Sequence, residues 1–253
     1  MKVAITTDTH AGYTSTQSLL TMFGNIKNEN PDVLIHCGDV QSNNFYQQCA
    51  FWDLVRGYLP DCKIISVLGN HDWWDNGYGN EEGDEEKSTT CQEVLDRVNL
   101  IYKEFDIHHA SENLIIDNVA FSGFDGWYSD KDHYHATNDK SCIPHYYISE
   151  KRWLENRNMK QFQDCKSFLE KFDGTKVVIT HFGITPECKE DWKSQGSTCY
   201  FGNHQEFFNQ LNFVDYIFYG HSHQIVNVEY GKTKVVNAGS DYDFPRYEIR
   251  DIV

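Results

Sequence analysis

No stretch of this 253-residue chain is apolar for long enough to cross a bilayer, and its opening residues, MKVAITTDTH, reach Asp8 too soon to form the apolar segment of a secretion signal. Export and membrane insertion are therefore not expected, and a cytoplasmic protein is. Positive charge is scarce: 22 Lys and Arg stand against 38 Asp and Glu, a formal charge of −16. Such an excess repels nucleic acid and anionic membrane surfaces, which disfavours long nucleic acid as a partner. A small anionic substrate remains compatible if the site carries its own positive charge, as bound metal ions would supply. The eight cysteines include no C-x-x-C pair of the kind that holds zinc or exchanges disulfides. They read as small buried residues in a reducing compartment. An even count also permits bridges in a secreted enzyme, and the missing signal segment argues against that alternative. Repeats and low-complexity linkers are absent too, so residues 1–253 are expected to form a single domain.

What is present begins with a rhythm. Short apolar runs, KVAITT (2–7), DVLIH (32–36) and KIISVL (63–68), alternate with longer segments of helical spacing such as TQSLLTMFGNI (16–26), the pattern of βαβ units. NVAFSGF (118–124), KVVITHF (176–182) and VDYIFYG (214–220) read as further strands. Between them a helix is expected from an N-cap at Ser149 to about Phe172, with Cys165, Phe168, Leu169 and Phe172 on one apolar face. QIVNVEY and TKVVNAG flank Gly231 and Lys232, which predicts a C-terminal β-hairpin, and YEIRDI predicts a last strand. The class is α/β. Two polar stretches, 75–90 and 125–148, read as loop insertions; loops of that length are commonly functional. The acidic run Glu81 to Glu86 reads as solvated surface.

The polar residues at the strand ends carry the chemistry. Asp8 and His10 follow the first strand, Asp39 the second, and Asn70, His71 and Asp72 the third; His181 follows a later strand, and His221 and His223 another. Each alone is a plausible cap, turn or interior histidine. Five strands ending in residues able to bind metal is another matter, because sites in open α/β sheets form outside the carboxyl ends of the strands, where residues distant in sequence converge. Imidazole, carboxylate and one amide oxygen suit Mn, Fe, Zn, Ni or Mg and argue against thiolate-held metals. Seven candidate ligands exceed one tetrahedral ion and suffice for two ions sharing a carboxylate, about 3.5–4 Å apart.

In this order the motifs D-x-H, G-D, G-N-H-D, H and G-H-x-H resemble the calcineurin-like metallophosphoesterase family, from Asp8 to His223. The layout is similar to that of its small bacterial and phage-type members, in the cyclic-nucleotide phosphodiesterase-like branch, although phosphatases share it. The resemblance implies a four-layer α/β/β/α sandwich, two mixed sheets flanked by helices. It implies that Asp8, His10 and His223 hold one divalent ion and Asn70, His181 and His221 a second, with Asp39 bridging and Mn the preferred metal. His71 would face the substrate and assist the leaving group, Asp72 would hold its imidazole in orientation, and a hydroxide bridging the ions would attack in line.

The expectation is therefore a dinuclear phosphoesterase acting on a small, nucleotide-like phosphodiester. A phosphomonoesterase and a nuclease on the same fold are the alternatives, and net charge and the lack of a basic cluster count against the nuclease. A scaffold that had lost its chemistry would lack ligands or His71, and none is missing. Trp73 and Trp74 are candidates to stack on a base, although burial is the commoner use of an indole. Tyr78, Trp127, Tyr128 and Tyr134 are expected to offer flat surfaces on the two loops. His133 and His135 read as surface, Cys37 as packing, and Asn237 to Ser240 (NAGS) as a turn.

Overall fold

A computed structural model describes residues 1–40, 45–73, 90–126, 148–185 and 204–253. Their strands fall into two mixed sheets. The first has β1 (Lys2–Thr6), β2 (Val33–His36), β3 (Lys63–Ser66) and β4 (Ile107–His109) parallel to one another, with β11 (Tyr247–Asp251) added antiparallel on the free edge of β1. The second runs β5 (Leu114–Ile116), β6 (Val119–Phe124), β7 (Thr175–Thr180), β8 (Tyr216–Phe218), β10 (Thr233–Asn237), β9 (Val226–Tyr230). Its four inner strands are parallel and both edges antiparallel. The expected hairpin is β9–β10, where Tyr230 faces Thr233 across Gly231 and Lys232 and Gly231 takes φ 60°. The expected last strand is β11.

Side-chain alternation along the strands builds the layers. Val3 and Ile5 of β1 point into a core shared with Val33, Ile35, Phe121, Val177, Ile179 and Val236, which glues the two sheets together. Ala4 points the other way, with Leu34 and Ile64, onto α1 (Thr16–Glu29), α2 (Phe45–Tyr58) and α4 (Cys91–Glu104) through Phe23, Phe51, Trp52 and Val98. On the far side of the second sheet, Ala120, Val178, Ile217 and Val235 meet Phe162, Cys165 and Leu169 of α5 (Ile148–Glu170) and Phe207 of α6 (His204–Gln210). The result is the expected four-layer order of helices, sheet, sheet and helices. Strands buried on both faces explain why runs such as VLI in β2 are continuously apolar, and each fully buried Ile or Leu contributes about 1.5–3 kcal/mol.

One sequence expectation needs adjustment. The helix α5 begins at Ile148, so Ser149 lies inside its first turn and is not the N-cap. Asn70, His71 and Asp72, directly after Gly69, form a single helical turn, α3 (Asn70–Trp73). The insertion at 75–90 falls outside the described residues except for Thr90, the N-cap of α4, and of the stretch 125–148 all but Asp125, Gly126 and Ile148 do too. Tyr78, Trp127, Tyr128, Tyr134, His133 and His135 therefore lie outside the described residues. Among the described residues no helix is long and apolar enough to cross a membrane.

Candidate metal centre

All five ligand-bearing segments leave the carboxyl ends of their strands: β1, β2 and β3 in the first sheet, β7 and β8 in the second. The backbone ties them together. Asp8 N–H donates to Gly38 O (3.0 Å), His10 N–H to Asp39 O (3.1 Å) and Gly220 N–H to His181 O (2.9 Å). Five of the candidate ligands, Asp8, His10, Asp39, His221 and His223, adopt positive φ between 39 and 66°. Such backbone is costly for residues with a Cβ and collects at functional sites, where the surrounding structure imposes it. Two glycines permit the crowding: a Cβ on Gly69 would collide with the Asp39 carboxylate, and one on Gly220 with the Thr7 hydroxyl and Asp8.

Asp39 is the hub. Its Oδ1 accepts from His71 N–H (2.8 Å), while its Oδ2 faces Nε2 of His181 (3.4 Å), His10 (3.8 Å) and His71 (4.0 Å). Burial works against its ionisation, but His181, His71 and His10 outweigh that and hold the carboxyl well below the usual range. The Asn70 amide oxygen lies 3.1 Å from His181 Nε2 and 3.0 Å from His221 Nδ1. His181 Nδ1 lies 2.8 Å from Cys37 O, which can only accept, so Nδ1 carries the proton and Nε2 is turned inward. Asp8 accepts from His221 N–H (2.9 Å) and the Thr7 hydroxyl (2.5 Å) and sits 3.7 Å from His223 Nε2; burial raises its pKa.

Electrostatically the cluster is under tension. Burial drives His10 down to about 3 and His221 well below its ordinary value; burial likewise lowers His71. Burial also works against His181, yet Asp39 and Asp8 raise it to about 9, making it the one imidazole there pushed toward the charged form. Lone pairs of nitrogen and oxygen therefore converge with few protons between them. His10 is the plainest case, since it is fully buried and neither ring nitrogen has a hydrogen-bond partner. A donor set of this composition fits divalent cations: Asp8, His10 and His223 form one group of mutually close ligand atoms, His10, Asp39 and His71 a second, and Asp39, His181 and His221 a third.

The structure thus brings all seven sequence-nominated ligands together, with His71 at the junction. It corrects two other expectations. The Asp72 carboxylate accepts from the main-chain N–H groups of Gly69 (2.8 Å), Asp39 (2.8 Å) and Val40 (3.1 Å), so it braces the two ligand loops against each other and does not orient the His71 imidazole. Burial and the neighbouring Asp39 charge push its pKa up to about 8, against the pull of those amides. Trp73 is not a base platform: it is 1% exposed, packed edge-on to Trp153, with the Arg157 guanidinium over its ring. Trp74 lies outside the described residues.

Residues that the sequence reading passed over also support the site. Asp125, directly after β6, accepts from Leu68 N–H and pairs with His109 and Arg157. An acid following an apolar strand was the available signal. Asn237, read as a turn, donates to Gly220 O (3.1 Å) and the Ser222 hydroxyl (3.0 Å), holding the G-H-x-H loop from below.

A four-layer sandwich with a buried Asp/His cluster able to bind a dinuclear metal site at its strand ends defines a metallophosphoesterase. The family model of calcineurin-like phosphoesterases matches residues 1–225, and the chain belongs to that family of phosphoester hydrolases. Among solved structures, it is similar to the phosphopantetheinyl hydrolase of Mycobacterium tuberculosis, at 16% identity over 98% of this chain and 95% of that one, with a TM-score of 0.66. It is also similar to a dimetal phosphatase of Danio rerio, at 11% identity over 95% and 87% of the two chains, TM-score 0.57. Likeness at such identities speaks to the fold. No curated protein matches the chain in sequence.

Proposed function

We propose that this protein is a dinuclear metal-dependent phosphoesterase that hydrolyses a small, nucleotide-like phosphodiester in the cytoplasm. The observation that carries the reading is the convergence of imidazole nitrogens on Asp39 Oδ2 and Asn70 Oδ1, with the fully buried His10, neither ring nitrogen of which has a hydrogen-bond partner, beside them. Asp8, His10 and His223 would hold one ion, Asn70, His181 and His221 the other, and Asp39 both. Divalent ions bound there supply Lewis acidity and an activated water. Mn is the metal proposed, from the mixed nitrogen and oxygen donors.

The chain's own groups prepare the rest. The Cys37 carbonyl fixes the His181 tautomer, Asp8 and Asp39 are anchored through main-chain N–H groups of His221 and His71, and burial keeps water from competing for the ligands. His71, at the junction of the cluster, is the group assigned to the leaving oxygen: its Nε2 stands 4.0 Å from Asp39 Oδ2, and although burial lowers its pKa, the Asp39 charge works against that loss of the proton. The formal charge of −16 favours a compact anion over long nucleic acid. The described cysteines, Cys37, Cys49, Cys62, Cys91 and Cys165, are free thiols, which supports a reducing compartment.

Metal analysis followed by turnover of bis-p-nitrophenyl phosphate, p-nitrophenyl phosphate, cyclic mononucleotides and single-stranded DNA tests the proposal. Two ions per chain and fastest hydrolysis of a mononucleotide diester are expected. Fastest cleavage of the monoester would make it a phosphatase, and fastest cleavage of DNA a nuclease.

A further inference from the structure

The solvent-facing side of the cluster is not where the tryptophans are. Of the seven candidate ligands, His223 alone is more than marginally exposed, so solvent reaches the cluster beside it. That approach is flanked by two tyrosines. The Tyr242 ring lies over His10 (centroids 4.5 Å apart, planes 28° apart) and over His223 (5.2 Å, 28°), across two imidazoles assigned to the same ion. Tyr13 meets Tyr242 nearly at right angles, at 5.8 Å and 87°.

These two rings are held and yet left open. Thr14 Oγ1 donates to Tyr242 O (2.5 Å), Tyr242 N–H donates to Asp241 Oδ1 (2.8 Å), and the Asp241–Phe244 bridge closes the turn that carries the ring. Nevertheless Tyr242 is 40% and Tyr13 60% exposed. Two perpendicular aromatic surfaces, fixed by their backbone and wet on their outer sides, form a corner immediately beside the point where a phosphoryl group would meet the ligands. Flat π surfaces recognise flat rings with little regard to their substituents.

We propose that Tyr242, with Tyr13 at its edge, determines specificity by receiving an aryl or heteroaryl group attached to the phosphoryl centre, nucleosides included. This rests on the phosphoesterase reading and takes over the stacking role that the sequence suggested for Trp73. A ring serving only to cover the imidazoles would be indifferent to what the phosphoryl group carries, and that difference is measurable.

The test is calorimetric titration of the Mn-loaded protein with phenylphosphonate and with methylphosphonate, which have the same charged head and are not hydrolysed. The wild-type protein is expected to prefer the phenyl compound by roughly five- to a hundredfold, the range of one stacked ring. Tyr242→Leu, which keeps bulk over His10 and His223, should bring the ratio of the two dissociation constants close to one. Tyr242→Phe should restore it, and Tyr13→Ala should lower it in part, with metal content per chain measured in each variant. The proposal is overturned if the wild-type protein does not distinguish the two phosphonates, or if its ratio survives in Tyr242→Leu. If the preference is found but no phosphoester is turned over, the aromatic corner stands and the proposed activity falls.

Discussion

Two buried groups of histidine and aspartate lie side by side in this molecule, and they are built in opposite ways. In the first, around Asp125, every acceptor has its donors: Oδ1 takes Leu68 N–H (2.9 Å) and His109 Nε2 (2.9 Å), and Oδ2 takes Gln161 Nε2 (3.1 Å) and Arg157 Nη2 (3.2 Å). In the second, around Asp39, three imidazoles crowd one carboxylate oxygen, two more imidazole contacts fall on one amide oxygen, and neither ring nitrogen of His10 has a hydrogen-bond partner. Residue types and burial are nearly the same. A satisfied network rigidifies a fold, whereas one short of donors costs folding energy and persists because something else completes it. Function is read from the deficit, not from the residue types.

If that distinction holds, damage to the Asp39 cluster should remove activity, and damage to the Asp125 network should remove stability. The largest effect is expected from Asp39→Asn, which keeps an oxygen to accept from His71 N–H but loses the charge facing three imidazoles. Turnover should be abolished and bound metal should fall from two ions to at most one under saturating Mn, with little change in the thermal midpoint of the metal-free protein. Two ions retained in the variant, by elemental analysis, would sink the idea that this carboxylate is shared.

His71→Ala separates the acid from the ligands. Both ions should remain, and turnover should drop by roughly 10² to 10⁴, the usual worth of a positioned proton donor. The loss should shrink when p-nitrophenolate replaces a poor leaving group. An equal loss on both substrates, or loss of an ion, would make His71 a ligand, as its closeness to His10 and Asp39 allows.

Asp125→Asn should do the reverse, costing about 3–5 kcal/mol of unfolding free energy, as removal of one partner from a buried pair does. Although burial opposes ionisation of Asp125, His109 and Arg157 hold its pKa below the ordinary 3.8. The folded carboxylate thus binds a proton more weakly than the unfolded one. Its contribution is fully present above pH 3.8 and is lost as the pH falls toward the folded value, so wild type and variant should converge in stability on acidification below about pH 4. Denaturant titrations at pH 7 and pH 3 read this directly, and a gap that widened in acid would contradict it.

The sequence made the ligands legible because each follows an apolar strand, and strand ends are where chain direction alone forces convergence. The layers were less legible. VLI (33–35) is apolar throughout, so nothing in it says that Val33 and Ile35 face the second sheet while Leu34 faces helices. β4 and β5, of three residues each, are too short to carry a period, and β8, equally short, was legible because it lies within the longer run VDYIFYG. Partners across long sequence separations were not legible at all: Asp72 beside His71 looked like an orienting carboxylate, and only the folded chain delivers Asp39 and Val40 N–H to it. Ser149 had the chemistry of an N-cap but not the position. Tyr242 and Asp241 arrive from the turn before the last strand, with no motif to announce them.

Asp241 gives the smallest expected effect and tests whether the contrast is graded within the metal cluster itself. Its Oδ1 stands 3.6 Å from His223 Nδ1, on the side of the imidazole away from Asp8, and its side chain is 62% exposed. A carboxylate behind a ligating histidine raises the basicity of the ligand, and losing such a partner typically costs roughly 10- to 100-fold in metal affinity. Here the carboxylate itself stands largely in water, which screens its charge, so the expected loss lies below that range. Asp241→Asn isolates the charge, because the amide oxygen can still accept from Tyr242 N–H and keep the turn in place. Competition with a chelator of known affinity should give a weakening of less than about tenfold, with two ions still bound at saturation. A hundredfold loss would mean that Asp241 itself reaches a cation, and the deficit around His223 would then be completed by an exposed carboxylate of this chain rather than by buried ligands alone.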